Sequence, residues 1–276
     1  MKLSALTIVS ALSLGALAAP HHAKRQSAAV YTKCTVPNTV ALTFDDGPYM
    51  YMDDIVNTLN NAGAKGTFFV NYQNWDCIYN YQDPLKRAYQ SGHQLASHTA
   101  AHKHLTELNW DQLHDEMWKV ERKKEFDTFF FWKVDSIVLM NPSYWLEALE
   151  RIVGVTPAMM RPPYGEYNDL VLQVAAARGQ SVIIWDFDVR DATGDPSRTV
   201  NDQLSDYGHL IWDVRPDNIL TLNHEVKEPT AHTILPQVVQ WLNQRGYKMV
   251  TVADCLGIQP YQRIEQPQQN DGSWRC

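Results

Sequence analysis

Basic residues are in deficit, with 24 Lys and Arg against 31 Asp and Glu and a formal charge of −7. No basic stripe offsets that excess, which disfavours a nucleic-acid partner. Cysteine is scarce: four occur in 276 residues, and no two stand in a Cys-x-x-Cys spacing. A cysteine-held metal or redox pair is therefore disfavoured. After the first 18 residues no apolar run is long enough to cross a bilayer. Asn-x-Ser/Thr is missing beyond residue 25, and neither an internal repeat nor a low-complexity linker interrupts the chain.

What is present begins with Met1-Lys2 and the apolar run Leu3 to Ala18, closing on Ala16-Leu17-Ala18. This run is too short for a membrane helix and reads as a secretory signal over 1–18. Ala19 to Arg25, ending in Lys24-Arg25, reads as a pro-segment cut after a dibasic pair. Residues 26–276 are then expected to form one domain, because α/β barrels commonly occupy roughly 250 residues. Loss of the leader removes Lys2, Lys24 and Arg25 and no acid, which moves the formal charge to about −10. A secreted or cell-wall-associated monomer is the expectation. In an oxidising compartment four cysteines imply two disulfides, with three possible pairings. Cys34 precedes the first expected strand and Cys255 follows the last, so joining them ties the barrel's ends, and Cys77 then pairs with Cys276.

Short apolar runs bounded by turn residues alternate with helical patterns, the signature of βα units and a parallel sheet. The expected strands are Val40–Phe44, Gly66–Val70, Gln94–Ser97, Ala158–Met160, Ser181–Trp185, Ile219–Leu222 and Tyr247–Val252. They predict an α/β fold, a distorted and incomplete (β/α) barrel with about seven parallel strands. Helices are expected over Asp53–Ala62, Pro84–Ser91, Asp111–Glu121, Asn168–Ala177 and Thr230–Arg245. Asp45, Asp46, His98, Arg161, Asp188 and His224 all fall at or just beyond an expected strand end. Parallel barrels carry their reactive groups there.

His98 and His102 stand four residues apart. On one face of a helical turn both can reach one cation, with a carboxylate from another segment as third ligand and one position left open. Thr99 occupies the place where His-Glu-x-x-His enzymes carry their general base, so the base has to come from elsewhere. The pair Asp45-Asp46 supplies both a ligand and a base. In isolation Asp-Asp-Gly-Pro is also an ordinary turn. A lone histidine is more often structural, and His93 and His104 are read that way.

Together, five motifs resemble carbohydrate esterase family 4, the polysaccharide deacetylases with a NodB homology domain, and most of all its fungal chitin deacetylases. They are Thr43-Phe44-Asp45-Asp46-Gly47, His98-Thr99-Ala100-Ala101-His102, Arg161-Pro162-Pro163-Tyr164-Gly165, Asp188-Val189-Arg190-Asp191-Ala192 and Leu222-Asn223-His224, in the family's order. The resemblance implies a metal-dependent hydrolase that releases acetate from β-1,4-linked N-acetylglucosamine in chitin or chitooligosaccharides. It implies Asp46, His98 and His102 as ligands of one divalent cation, zinc, with cobalt or nickel also accepted. It further implies Asp45 as base, Arg161 as the residue that holds it, His224 as general acid and Asp191 as the residue that orients His224. Tyr164 would line the acetyl pocket and offer its backbone N–H to the oxyanion, and Leu222 would form one wall. Ala192 stands where the family pattern has tryptophan, a departure that bears on local packing and on part of the sugar-binding wall. The alternatives are an acetyl xylan esterase and a carbohydrate-binding pseudoenzyme.

Residues 122–147, with Phe129-Phe130-Phe131-Trp132, interrupt the family pattern. Without them Leu113, Met117, Val120, Leu149 and Val153 fall in one phase at steps of four, three, three and four. The segment reads as an atypical insertion, either a translated intron or similar gene-model error, or an aromatic lid packed on the barrel's outside.

Overall fold

A computed structural model describes residues 27–120 and 148–276. The signal, the pro-segment and the 122–147 insertion lie outside these residues.

The strands are β1 (Val30–Tyr31), β2 (Thr39–Asp45), β3 (Gly66–Val70), β4 (Gln94–Ser97), β5 (Val155–Pro157), β6 (Met159–Met160), β7 (Ser181–Ile183), β8 (Phe187–Asp188), β9 (Asn218–His224), β10 (Lys248–Met249) and β11 (Tyr261–Ile264). The helices are α1 (Met52–Asn61), α2 (Gln82–Gln90), α3 (Trp110–Trp118), α4 (Ala148–Val153), α5 (Asp169–Ala177), α6 (Val200–Gly208), α7 (Leu235–Arg245) and α8 (Val252–Leu256).

Nine strands make one parallel sheet in the order β1-β7-β6-β4-β3-β2-β9-β8, with β10 beside the start of β2. It curls into an incomplete barrel flanked by helices, the architecture anticipated above. Each of the seven expected strands has a counterpart, and β1 and β8 are added at the two edges. Those two are only two residues long, too short to carry a readable period. At the centre, β2 and β3 are buried along their whole length, which explains their near-continuous apolar sequence. Helices cover the faces: α1 buries Met52, Ile55, Val56 and Leu59 at helical spacing. Among the described residues no helix is long and apolar enough to cross a membrane.

Cys34 is bonded to Cys255, and Cys77 to Cys276. The first bond ties the loop between β1 and β2 to α8, and Cys34 stands after the sheet's first strand instead of before it as expected, because the two-residue β1 precedes it. The second anchors a C-terminal strap, in which β11 pairs antiparallel with β5 and the Arg275 carbonyl accepts the Tyr72 hydroxyl. On either side of residues 121–147, the backbone N–H groups of Ala148 and Leu149 donate to the carbonyls of Lys119 and Val120, each at 3.4 Å. Two consecutive bonds with one constant offset are a helical pattern, of the i→i−3 kind when 122–147 are left out of the count, so the start of α4 sits against the turn that follows α3.

Candidate active site

Asp45 closes β2, and Asp46 follows it in a left-handed conformation, φ 74°. β4 ends at Ser97, and His98 is the next residue. The helical turn expected over 98–102 is absent. Thr99 at φ 73° and His102 at φ 54° reverse the chain instead, and bring the two imidazoles to 5.0 Å between ring centroids. The four-residue spacing thus identified a real pair through a backbone that the structure does not use.

The ligand atoms of Asp46, His98 and His102 all lie within 4.8 Å of one another. Asp46 Oδ1 is 3.5 Å from His98 Nε2 and 3.2 Å from His102 Nε2. His98 Nδ1 sits 2.8 Å from the Arg161 carbonyl, which can only accept, so that nitrogen carries the proton. In the neutral ring His98 then presents its Nε2 lone pair toward Asp46, as a metal ligand does. Ligands about 2.1 Å from a tetrahedral ion stand roughly 3.4 Å apart, so the spacing fits. Burial first, and His98 second, hold His102 down at about 4, which keeps its imidazole neutral and able to ligate.

Arg161 follows β6 and is fully buried. Its Nη1 donates to Asp45 Oδ1 at 2.8 Å and to Thr43 Oγ1 at 2.5 Å, while Nη2 donates to the Ile184 carbonyl at 2.9 Å. The two-bond grip a guanidinium can give a carboxylate is here a single bond, because the fork's other arm serves the backbone. Its guanidinium also lies 4.2 Å from the Phe69 ring centre. Register pairs Asp45 with His224 across β2 and β9. Asp191 Oδ1 is 2.6 Å from His224 Nδ1, and Asp191 Oδ2 accepts both the His224 backbone N–H at 2.8 Å and the Thr230 hydroxyl at 2.6 Å. Burial by itself would lower His224, yet the bond to and charge of Asp191, with Asp45 and Asp46 beyond, push it up to about 9. It is therefore held toward its protonated form, in register beside Asp45.

Tyr164 sits in a left-handed turn at φ 60°, 54% exposed, with its ring 4.6 Å from that of His102 and stacked at 4.0 Å on His104. His104 thus stands beside the site under Tyr164, held by Glu166 at 3.0 Å. Gly165 is needed behind Tyr164, since its φ is 69° and a Cβ there would meet the Trp185 ring at 2.7 Å. Leu222 is buried two residues before His224.

The model of a family described as polysaccharide deacetylase matches residues 32–125. Over 254 residues the chain is 32% identical to a chitin deacetylase from Pestalotiopsis sp, covering 91% of this chain and 76% of that protein. The chain belongs to the polysaccharide deacetylase family. This deacetylase is also 34% identical over 228 residues to a probable peptidoglycan-N-acetylglucosamine deacetylase of Arthroderma benhamiae, covering 83% of its own length and 46% of that protein. Its fold matches the structure of the chitin deacetylase from the fungal pathogen Colletotrichum lindemuthianum with a TM-score of 0.72 and 26% identity, over 89% of this chain and 99% of that one.

Other residues of the deacetylase's site gave no sequence signal. Thr230 steadies Asp191 from 39 residues away. Glu225 is fully buried directly after His224, where its Oε1 accepts the Tyr49 N–H at 2.7 Å. Burial pushes that carboxyl up to about 8. Asn71 lies between the loops of Asp46 and His98. Ala192 is exposed, and the bond between Asp191 and His224 forms without the family's indole beside it.

Proposed function

We propose that this deacetylase is a secreted, metal-dependent enzyme that removes N-acetyl groups from β-1,4-linked N-acetylglucosamine polymers, chitin or chitooligosaccharides, and releases acetate. One observation carries the reading: Asp46, His98 and His102 present three ligand atoms within 4.8 Å, with Asp45 and His224 paired in register beside them. The naming of its relatives as chitin deacetylases supports the substrate class. A net acidic chain also suits a neutral polymer whose product becomes cationic.

Asp46, His98 and His102 would hold the ion, which we assign as zinc, with cobalt or nickel also accepted. When bound, such an ion supplies Lewis acidity toward the acetyl carbonyl and toward an attacking water. Asp45, held by Arg161, takes one proton from that water as its oxygen adds to the amide carbon. The backbone N–H of Tyr164 is our assignment for the oxyanion's donor, and Leu222 for a wall against the acetyl methyl. As the carbon–nitrogen bond breaks, His224 Nε2 gives its proton to the departing amine while Nδ1 stays on Asp191. The products are acetate and a free amino sugar.

The domain reading is ours as well: a signal over 1–18, a pro-segment over 19–25, and a monomeric catalytic domain over 26–276 with an atypical insertion at 122–147. Two disulfides support an oxidising destination. An acetate-release assay on chitooligosaccharides and on acetylated xylan, with and without chelator, tests the function. Chelator-sensitive release from chitooligosaccharides is expected. Release from xylan alone would replace the reading with an acetyl xylan esterase, and binding without turnover by metal-replete protein would replace it with a carbohydrate-binding pseudoenzyme.

A further inference from the structure

The two loops that carry the candidate ligands hang from strands that do not touch. Sheet order places β3 between β2, which leads into Asp46, and β4, which leads into His98. Whatever fixes Asp46 at 3.2 to 3.5 Å from two imidazoles must act across the end of β3. The residue at that end is Asn71.

Asn71 is 1% exposed. Its backbone N–H donates to the Gly47 carbonyl at 2.7 Å, next to Asp46. Its side-chain Nδ2 donates to the carbonyls of His98 at 2.5 Å and Thr99 at 3.1 Å. Its Oδ1 accepts from Asn74 Nδ2 at 3.2 Å, which fixes the amide with its donor toward those carbonyls. The Thr99 carbonyl also receives the Tyr72 N–H at 3.3 Å. Thr99 is a buried β-branched residue at φ 73°, a conformation that persists only where the surroundings over-determine it. Donors from the end of β3 supply that constraint.

We propose that Asn71 is a positioning residue that sets the distance between Asp46 and the His98–His102 pair, and through it the affinity of the site for its cation; this rests on the metal reading given above. The side chain fits the task by its chemistry. An aspartate there would set an acceptor against two carbonyls, and an apolar residue would leave the His98 carbonyl without its donor and the Thr99 carbonyl with the Tyr72 N–H alone.

The test is a Zn2+ titration of metal-free protein against a chromophoric chelator, with the Co2+ absorption spectrum as a second readout. It compares wild type with Asn71→Ala, Asn74→Ala and Gln94→Ala. Gln94 is the control for general loss of stability: it opens β4 at the opposite end of the sheet, where its Oε1 accepts from Thr67 Oγ1 at 3.2 Å and from the Ala253 N–H at 2.9 Å. Outer-shell partners are worth about 10–100-fold in metal affinity, so Asn71→Ala should bind Zn2+ that much more weakly, with an altered Co2+ spectrum. Asn74→Ala should lose roughly threefold or more, and Gln94→Ala less than about twofold. A folded Asn71→Ala with wild-type affinity, or an equal loss in Gln94→Ala, overturns the proposal. Should Asn71→Ala fail to fold, Asn74→Ala decides, because Asn74 is exposed and unchanged affinity in that variant is equally fatal. A wild type that binds no Zn2+ defeats the metal reading itself and the proposal with it.

Discussion

His224 is bonded twice to Asp191: its ring Nδ1 lies 2.6 Å from one carboxylate oxygen, and its backbone N–H donates to the other at 2.8 Å. The double contact fixes the ring's orientation, and the charge raises the fraction of protonated imidazole. Asparagine at 191 keeps much of the shape and loses the charge. A general acid works only while protonated, so activity fails as pH rises through its pKa, and a lowered pKa brings that failure on sooner. The alkaline limb of kcat/KM is therefore expected to move to lower pH in Asp191→Asn. A pH–rate profile with an unmoved alkaline limb would remove the role assigned to Asp191.

Asp45 and Asp46 are neighbours in sequence with different partners: Asp45 meets Arg161, and Asp46 faces two imidazoles. Asp45→Asn is expected to lower acetate release by about 10²–10⁴-fold, the usual contribution of a positioned base, while bound metal stays near the wild-type level. Elemental analysis beside the activity assay separates the roles. Loss of the metal in that variant would mean that the two aspartates have exchanged functions. Arg161→Ala is expected to cost stability as well, about 3–5 kcal/mol, because Asp45 would be left buried without its counter-charge.

Strand ends were readable because a parallel sheet needs apolar runs, and the first polar residues after each run had to emerge on one rim. That reasoning located Asp45, Asp46, His98, Arg161 and His224. It could not see the backbone between His98 and His102, since no sequence pattern announces a left-handed, β-branched Thr99. Asn71 was silent for a related reason: it is one polar residue at the end of an apolar strand, and its importance comes from the order of β2, β3 and β4. Thr230 and Asp191 meet only through tertiary folding.

The stacking of Ala148 on Lys119 and Leu149 on Val120 leads to a prediction about the insertion. Val120, Ala148, Leu149 and Ile152 are all fully buried, so the core beneath the junction is already built by the residues on either side. A protein lacking 122–147 is expected to fold with the melting temperature and acetate release of the longer chain or better. Circular dichroism melts and activity of the two forms, together with a search of the secreted protein for peptides from 122–147, provide the check. A deletion form that does not fold would show the segment to be an integral part of the domain.

Gly47 follows Asp46 and has no room for a side chain, because a Cβ there would fall inside the carboxyl group of Glu225. Glu225 cannot simply swing away: it is fully buried, and its Oε1 holds the Tyr49 N–H at 2.7 Å. Gly47→Ala is therefore expected to destabilise by at least the roughly 1–3 kcal/mol typical of overpacking. Because the Gly47 carbonyl accepts the Asn71 N–H, the shift should also reach the Asp46 turn. Glu225→Ala leaves the Tyr49 N–H without its acceptor, at a cost of about 1–3 kcal/mol. Combined, the two substitutions should cost less than the sum of the singles, since the second opens the space that the first requires. Denaturant melts of the four proteins yield the coupling energy. A value near zero would mean that the clash is relieved by another movement, and that the glycine is required there for some reason other than Glu225.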